Sequence, residues 1–187
     1  LHQRLVARTM PFHIRSSRAA RRNQIAAGDF ETLDVETGLP AGFQAPEDSE
    51  CVIEQTRVAG GRVAVRQTWR ANTGQAPGPG RFSIDVMGLR PGAKYDLFLK
   101  ALCDTRDRAR VEVYSLPGPD DSGAVRIGPR LGITAIGAPP GFHEYNIQFT
   151  FPEEGAAGVR IAAACWGTQF PVTVVWDDWR MGELEAR

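Results

Sequence analysis

From Asn23 onward, β-branched and aromatic residues recur in short runs broken by glycine and proline. The clearest runs are Arg62–Trp69, Arg81–Met87, Ala93–Cys103, Arg110–Leu116, Glu144–Phe151, Gly158–Trp166 and Val172–Met181. Between them stand turn-rich clusters at Gly74 to Gly80, Arg90-Pro91-Gly92, Pro117-Gly118-Pro119, Gly137 to Gly141 and Glu153 to Gly155. Gly and Pro punctuation around such runs marks strands and turns. No long stretch carries a period of 3.6, so helices are not expected. Many short strands without helices between them predict an all-β sandwich or barrel.

Alternation within the runs assigns faces, because successive strand side chains point to opposite sides. Tyr95, Leu97, Leu99, Ala101 and Cys103 form one apolar face, and Val159, Ile161, Ala163 and Cys165 form another. Tyr145, Ile147, Phe149 and Phe151 make a third. These are the predicted core. Opposite them lie Phe98 and Lys100, Arg160 and Trp166, and Asn146 and Gln148, which are expected to face solvent or a partner.

The chain has 187 residues, enough to bury a core without disulfide staples. Its net charge is zero, but six arginines (Arg4, Arg8, Arg15, Arg18, Arg21 and Arg22) precede the first acid, Asp29. Residues 1–22 therefore read as a basic N-terminal arm, and residues 23–187 as one folded, acidic binding domain. Lysine occurs only at Lys94 and Lys100. A GC-rich genome explains that bias, as does selection for bidentate arginine contacts. No apolar run approaches the roughly 20 residues of a spanning helix, so no membrane span is expected. Cys51, Cys103 and Cys165 are widely spaced with no CxxC pair, which argues against zinc. One disulfide among them stays open.

Three segments carry a resemblance. The first is Asn23-Gln24-Ile25-Ala26-Ala27-Gly28-Asp29-Phe30-Glu31, followed by Gly38-Leu39-Pro40-Ala41-Gly42-Phe43. The second is Met87-Gly88-Leu89-Arg90-Pro91-Gly92-Ala93-Lys94-Tyr95-Asp96-Leu97. The third is Phe142 to Phe149 together with Val174-Val175-Trp176-Asp177-Asp178-Trp179-Arg180-Met181. In order and spacing over roughly residues 23–183, they resemble the carbohydrate-binding modules appended to xylanases and other glycoside hydrolases. These modules are members of the galactose-binding-like jelly rolls. The pattern departs from the family at Ala27, where Asn is usual, at Phe43, where Trp is usual, and in its basic arm. The resemblance implies a jelly-roll β-sandwich of two antiparallel sheets, with an opening strand at residues 23–31 and a hairpin at the second segment.

The resemblance also implies sites. A structural calcium ion that ties the opening strand to the final one would draw on Asp29, Glu31 and Asp177, helped by Asp178. Calcium needs several hard oxygens at close range, although these same acids could instead cap turns or pair with arginine. A sugar site needs an aromatic platform with polar groups at its edge. Phe98, Tyr114, Arg160 and Trp166 are the candidates on outward faces. Trp166 stands out because Ala162 and Ala164 beside it leave room for a ligand. Tyr95, Phe149 and Trp179 read as core.

Other chemistries find little footing. Asp120-Asp121 and Glu153-Glu154 lie in turn-like sequence, where acid pairs are ordinarily solvated. A glycosidase needs two carboxylates held across a cleft, one with a raised pKa. His2, His13 and His143 are scattered without a Ser or Cys motif, and no phosphate loop is present. The expectation is a non-catalytic protein. The arm could touch nucleic acid, but the acidic domain lacks a reader motif, so that partner is not expected.

Two readings remain. One is a module that binds a glycan through an exposed sheet face. The other is a structural or adaptor subunit of a viral or extracellular assembly, docking neighbouring subunits, or copies of itself, through the sandwich and the arm. Either role belongs to an extracellular, cell-surface or virion setting.

Overall fold

A computed structural model describes residues 23–73, 80–104, 109–118, 126–167 and 169–184. The predicted arm, residues 1–22, lies outside the described residues, as does the acid pair Asp120-Asp121. Ten strands follow one another: β1 (Phe43–Gln44), β2 (Ser49–Glu54), β3 (Ala64–Trp69), β4 (Ser83–Met87), β5 (Lys94–Cys103), β6 (Ala109–Leu116), β7 (Arg130–Ile136), β8 (His143–Thr150), β9 (Gly158–Cys165) and β10 (Val172–Glu183). They form two antiparallel five-stranded sheets. The first runs β1-β4-β9-β6-β7 and the second β2-β3-β10-β5-β8. The fold is an all-β jelly-roll sandwich. No helix among the described residues is long and apolar enough to cross a membrane.

The core lies between the two inner faces, as alternation predicts. Leu97 and Leu99 on β5 and Val159 and Ile161 on β9 are fully enclosed. So are three of the four tryptophans: Trp69, Trp176 and Trp179. Their rings meet edge to face, Trp69 with Trp176 at 6.5 Å and Trp176 with Trp179 at 5.7 Å. Pairs of this kind add about 0.5–1.5 kcal/mol beyond area burial. Gln67 is also enclosed. It accepts from the Trp176 indole N–H at 2.8 Å and donates to the Ser49 hydroxyl at 2.7 Å, so the buried amide is not left unpaired. No disulfide joins Cys51, Cys103 and Cys165.

Two local expectations change. Residues 23–31 form no strand but a series of turns against the end of β10. Gln24 N–H donates to the Met181 carbonyl at 2.9 Å, and Trp179 N–H donates to the Gly28 carbonyl at 2.6 Å. Asn23 replaces further ladder bonds with its side chain, whose Oδ1 accepts from Ile25 and Met181 N–H. Phe30, at φ 64°, then turns its ring into the core beside Phe43 and Phe82. Gly28 permits the close approach to β10, since a Cβ there would fall 1.9 Å from the Trp179 carbonyl oxygen.

The expected hairpin at Met87–Leu97 is a crossover between sheets. β4 pairs with β1 and β9, whereas β5 pairs with β10 and β8. Gly88 and Gly92, at φ 72° and 70°, supply the left-handed corners. Arg90 N–H donates to the Tyr95 phenol oxygen at 2.8 Å, tying the corner to the start of β5.

Candidate functional site

On the outer face of the first sheet, alternation places charge where an open antiparallel sheet usually shows scattered polar residues. β6 presents Arg110, Glu112 and Tyr114 outward, while Val111 and Val113 point to the core. β9 presents Arg160, Ala162 and Ala164, in register with Tyr114, Glu112 and Arg110. β4 adds Ser83, Asp85 and Met87, with Asp85 opposite Arg160. β7 adds Arg130 opposite Tyr114 and Ile133 opposite Glu112.

Glu112 is the centre of this face. Its side chain is enclosed; Oε2 serves two donors, and Oε1 serves one donor beside a second guanidinium. Oε2 accepts from Arg81 Nη1 at 3.1 Å and from the Tyr114 hydroxyl at 2.7 Å. Oε1 accepts from Arg130 Nη1 at 3.1 Å and stands 3.0 Å from Arg110 Nε. Burial without a partner would be prohibitive for a carboxylate, and three arginines compensate it. Burial and the bond to Glu112 push the Tyr114 phenol above its usual range. Asp48 lies close enough to feel Arg81, but burial is the larger influence and raises its carboxyl.

A second pair flanks the first. Arg160 donates to Asp85 through Nε at 2.7 Å and Nη2 at 2.8 Å, a bidentate grip. Gln44 on β1 donates to the same Asp85 at 3.2 Å. The Asp85 bonds hold the Arg160 pKa above the ordinary arginine value.

Trp166 follows the end of β9 and is the exposed member of the four tryptophans, at 36%. The Arg110 guanidinium carbon sits 3.7 Å from its ring centroid. Asn72 Oδ1 accepts from Gly167 N–H at 2.5 Å, and Thr73 Oγ1 accepts from Cys165 N–H at 2.5 Å, fastening the chain around Trp166. Met87 and Ile133 are the other large apolar side chains exposed on this face.

Of the four ligand residues expected from sequence, Tyr114, Arg160 and Trp166 therefore share one face, and Phe98 does not. Phe98 lies on β5 in the second sheet, opposite Asn146 and Arg180. Tyr114 and Arg160 are buried, with hydroxyl and guanidinium already engaged by Glu112 and Asp85. The space expected above Ala162 and Ala164 is filled: both are buried beside Glu112 and Arg110. Sequence reasoning missed Arg81, Arg110, Glu112 and Arg130. The available signal was the period-two run Arg110, Glu112, Tyr114 on one side of a strand whose other side is valine.

The acids proposed for calcium have other duties. Glu31 Oε1 accepts from Arg62 and Val63 N–H at 2.6 and 3.1 Å, and these bonds with the Arg62 charge lower its pKa. Asp177 Oδ2 accepts from Ala59 and Gly60 N–H at 2.7 and 3.0 Å. Asp29 caps its own turn through Glu31 N–H at 3.3 Å, and Asp178 pairs with Lys100 at 2.8 Å. Among the described residues, no three His, Cys, Asp or Glu side chains converge as a metal-ligand group. Glu31 and Asp177 clamp the loop before β3 by binding its N–H groups.

No family model matches the sequence, and no curated protein matches it. Solved structures do. The second CBM22 xylan-binding domain of Paenibacillus barcinonensis Xyn10C superposes with a TM-score of 0.54 at 12% identity, covering 81% of this chain and 98% of that one. The chain has the jelly-roll fold of carbohydrate-binding modules. A putative sugar-binding protein from Bacteroides thetaiotaomicron matches with a TM-score of 0.55 at 10% identity, over 76% of this chain and 86% of that one. The C-terminal family 22 carbohydrate-binding module of Clostridium thermocellum Xyn10B, described by the role of its cleft residues in ligand binding, matches at 15% identity and a TM-score of 0.50. It covers 84% of this chain and 96% of its own length.

Proposed function

We propose that this chain is a non-catalytic module that binds a carbohydrate through the outer face of the first sheet. The observation that carries the reading is Trp166: three tryptophans are sealed in the core, and the fourth is held at the surface by bonds on both sides of its strand end. An exposed indole offers the apolar C–H face of a sugar ring a flat partner. Neighbouring polar groups, here Arg110 and Arg130, meet ring hydroxyls. The fold shared with xylan-binding and other sugar-binding modules supports the same reading. Such a module acts outside the cell, where polymeric glycans are.

The test is calorimetric titration of the full chain with xylo-oligosaccharides and a broader glycan panel, beside Trp166→Ala. Binding that weakens at least about tenfold in the variant supports the reading, since central aromatic anchors carry 2 kcal/mol or more. Absence of binding to every glycan sinks it.

A further inference from the structure

Among the described residues, the charge around Glu112 is unbalanced. Arg81, Arg110 and Arg130 all converge on the single carboxylate of Glu112. Among the described residues, Asp48, near Arg81, is the other acid that faces the cluster, while Asp85 is committed to Arg160 in both of its oxygens' strong bonds. Two guanidinium groups share one oxygen, Glu112 Oε1: Arg130 bonds it at 3.1 Å, and Arg110 Nε lies 3.0 Å away without hydrogen-bond geometry, a buried donor left unsatisfied. Burial lowers the Arg110 pKa despite that carboxylate, a mark of incomplete compensation. Arg130 stays half open to solvent, with its side chain 48% exposed.

Resting on the carbohydrate reading above, we propose that the glycan bound here is anionic, its carboxylate or sulfate group lodging beside Arg110 and Arg130. Like charges held together at the mouth of a partly desolvated site repel one another, and an incoming anion relieves that repulsion. Guanidinium donors in a fixed fork suit the two oxygens of a carboxylate or sulfate better than a lone hydroxyl. Trp166, with Arg110 on its ring, would hold the neighbouring sugar unit so that its charged substituent reaches the arginines.

The experiment compares ligands that differ only in charge, using the full chain. Xylohexaose, the same backbone bearing a glucuronic acid branch, and that branch reduced at its carboxyl to neutral glucose are titrated at low and high salt. A chondroitin oligosaccharide before and after desulfation provides the sulfate arm. The expected result is roughly tenfold tighter binding of at least one charged ligand over its neutral form, from one charge-assisted pair. That advantage falls with salt and disappears in Arg130→Gln. Preference for the uronate alone assigns a carboxylate, and preference for the sulfated ligand alone assigns a sulfate. Equal binding of charged and neutral forms overturns the inference and leaves the carbohydrate reading standing. Silence from all ligands overturns both. Arg180→Gln, on the outer face of the second sheet, is the control. An equal loss of the charged-ligand advantage there means diffuse attraction, and the inference is wrong.

Discussion

The Arg110 guanidinium carbon lies over the Trp166 ring, 3.7 Å from its centre, and its Nε simultaneously faces Glu112 at 3.0 Å. One side chain thus joins the exposed indole to the buried charge cluster. A cation over an indole contributes about 0.5–2 kcal/mol, more as water is excluded. Arg110→Ala is expected to lower thermal stability by a few degrees and to shift Trp166 fluorescence toward the solvated value. An unchanged emission spectrum would show that the stack does not persist in solution.

Glu112 is the strongest structural commitment on this face. Replacing it with glutamine leaves three arginines around a neutral amide, one of them fully enclosed. Breaking a buried charge network on one side costs about 3–5 kcal/mol, which in a domain of this size lowers Tm by roughly 10 °C. The paired change Glu112→Gln with Arg81→Met should recover part of that loss. Equal melting of wild type and Glu112→Gln would show that water already compensates the arginines.

Asp177 is expected to act as a loop clamp. Asp177→Ala strands the Ala59 and Gly60 N–H groups and should cost about 1–3 kcal/mol, whereas Asp177→Asn keeps an acceptor and should cost less. Calcium should not raise Tm in either wild type or variant. A calcium-dependent rise that vanishes in Asp177→Asn would instead restore a metal role for this residue. Burial raises the Asp177 pKa above the usual aspartate value. Its ionisation therefore opposes folding: the stability linked to this group is full below the unfolded pKa and is lost as pH rises through the folded one.

Glu54 titrates with the opposite sign. The Thr56 hydroxyl and N–H, with Arg57, hold its carboxyl down at about 2, against 4.5 for an ordinary glutamate. The folded state binds this proton less tightly than the unfolded chain does. The stabilisation is present above about pH 4.5 and is lost as pH falls toward 2. Urea denaturation across that window should show a shallower acid loss in Glu54→Gln than in wild type. Parallel curves would exclude this linkage.

The Cys51 thiol is pushed up to about 12, chiefly by burial, with Asp48 and Glu50 adding to it. Thiolate is the reactive form. Alkylation by iodoacetamide at pH 8 should be slow in the folded protein and fast in denaturant. Rapid labelling of the native chain would mean that β2 opens.

Seven strands were legible in the sequence to within a residue or two at their starts, because each has an apolar face packed on the core. The three missed strands, β1, β2 and β7, are all sheet edges. Edge strands have one neighbour and half-exposed side chains, as β7 shows, and so carry little period-two signal. The crossover at Gly88–Gly92 looked like a hairpin because its turn residues serve either connection. Only the pairing of β4 and β5 with different sheets separates the two.

By itself, the sequence determined which residues leave water. Tyr95, Leu97, Leu99, Phe149, Val159 and Ile161 could be assigned to the core because alternation is a local property of the strand. It also placed Trp166 on the outward face of its run, with Arg160. Which charges meet was decided by tertiary structure alone. Arg81 precedes β4, Glu112 and Arg130 lie on β6 and β7, and Asp85 and Arg160 lie on β4 and β9, spread over about 80 positions of the chain. Their meeting depends on the order in which β4, β9, β6 and β7 pair. That order follows from how the whole sandwich closes around its core, a long-range outcome that no window of sequence contains.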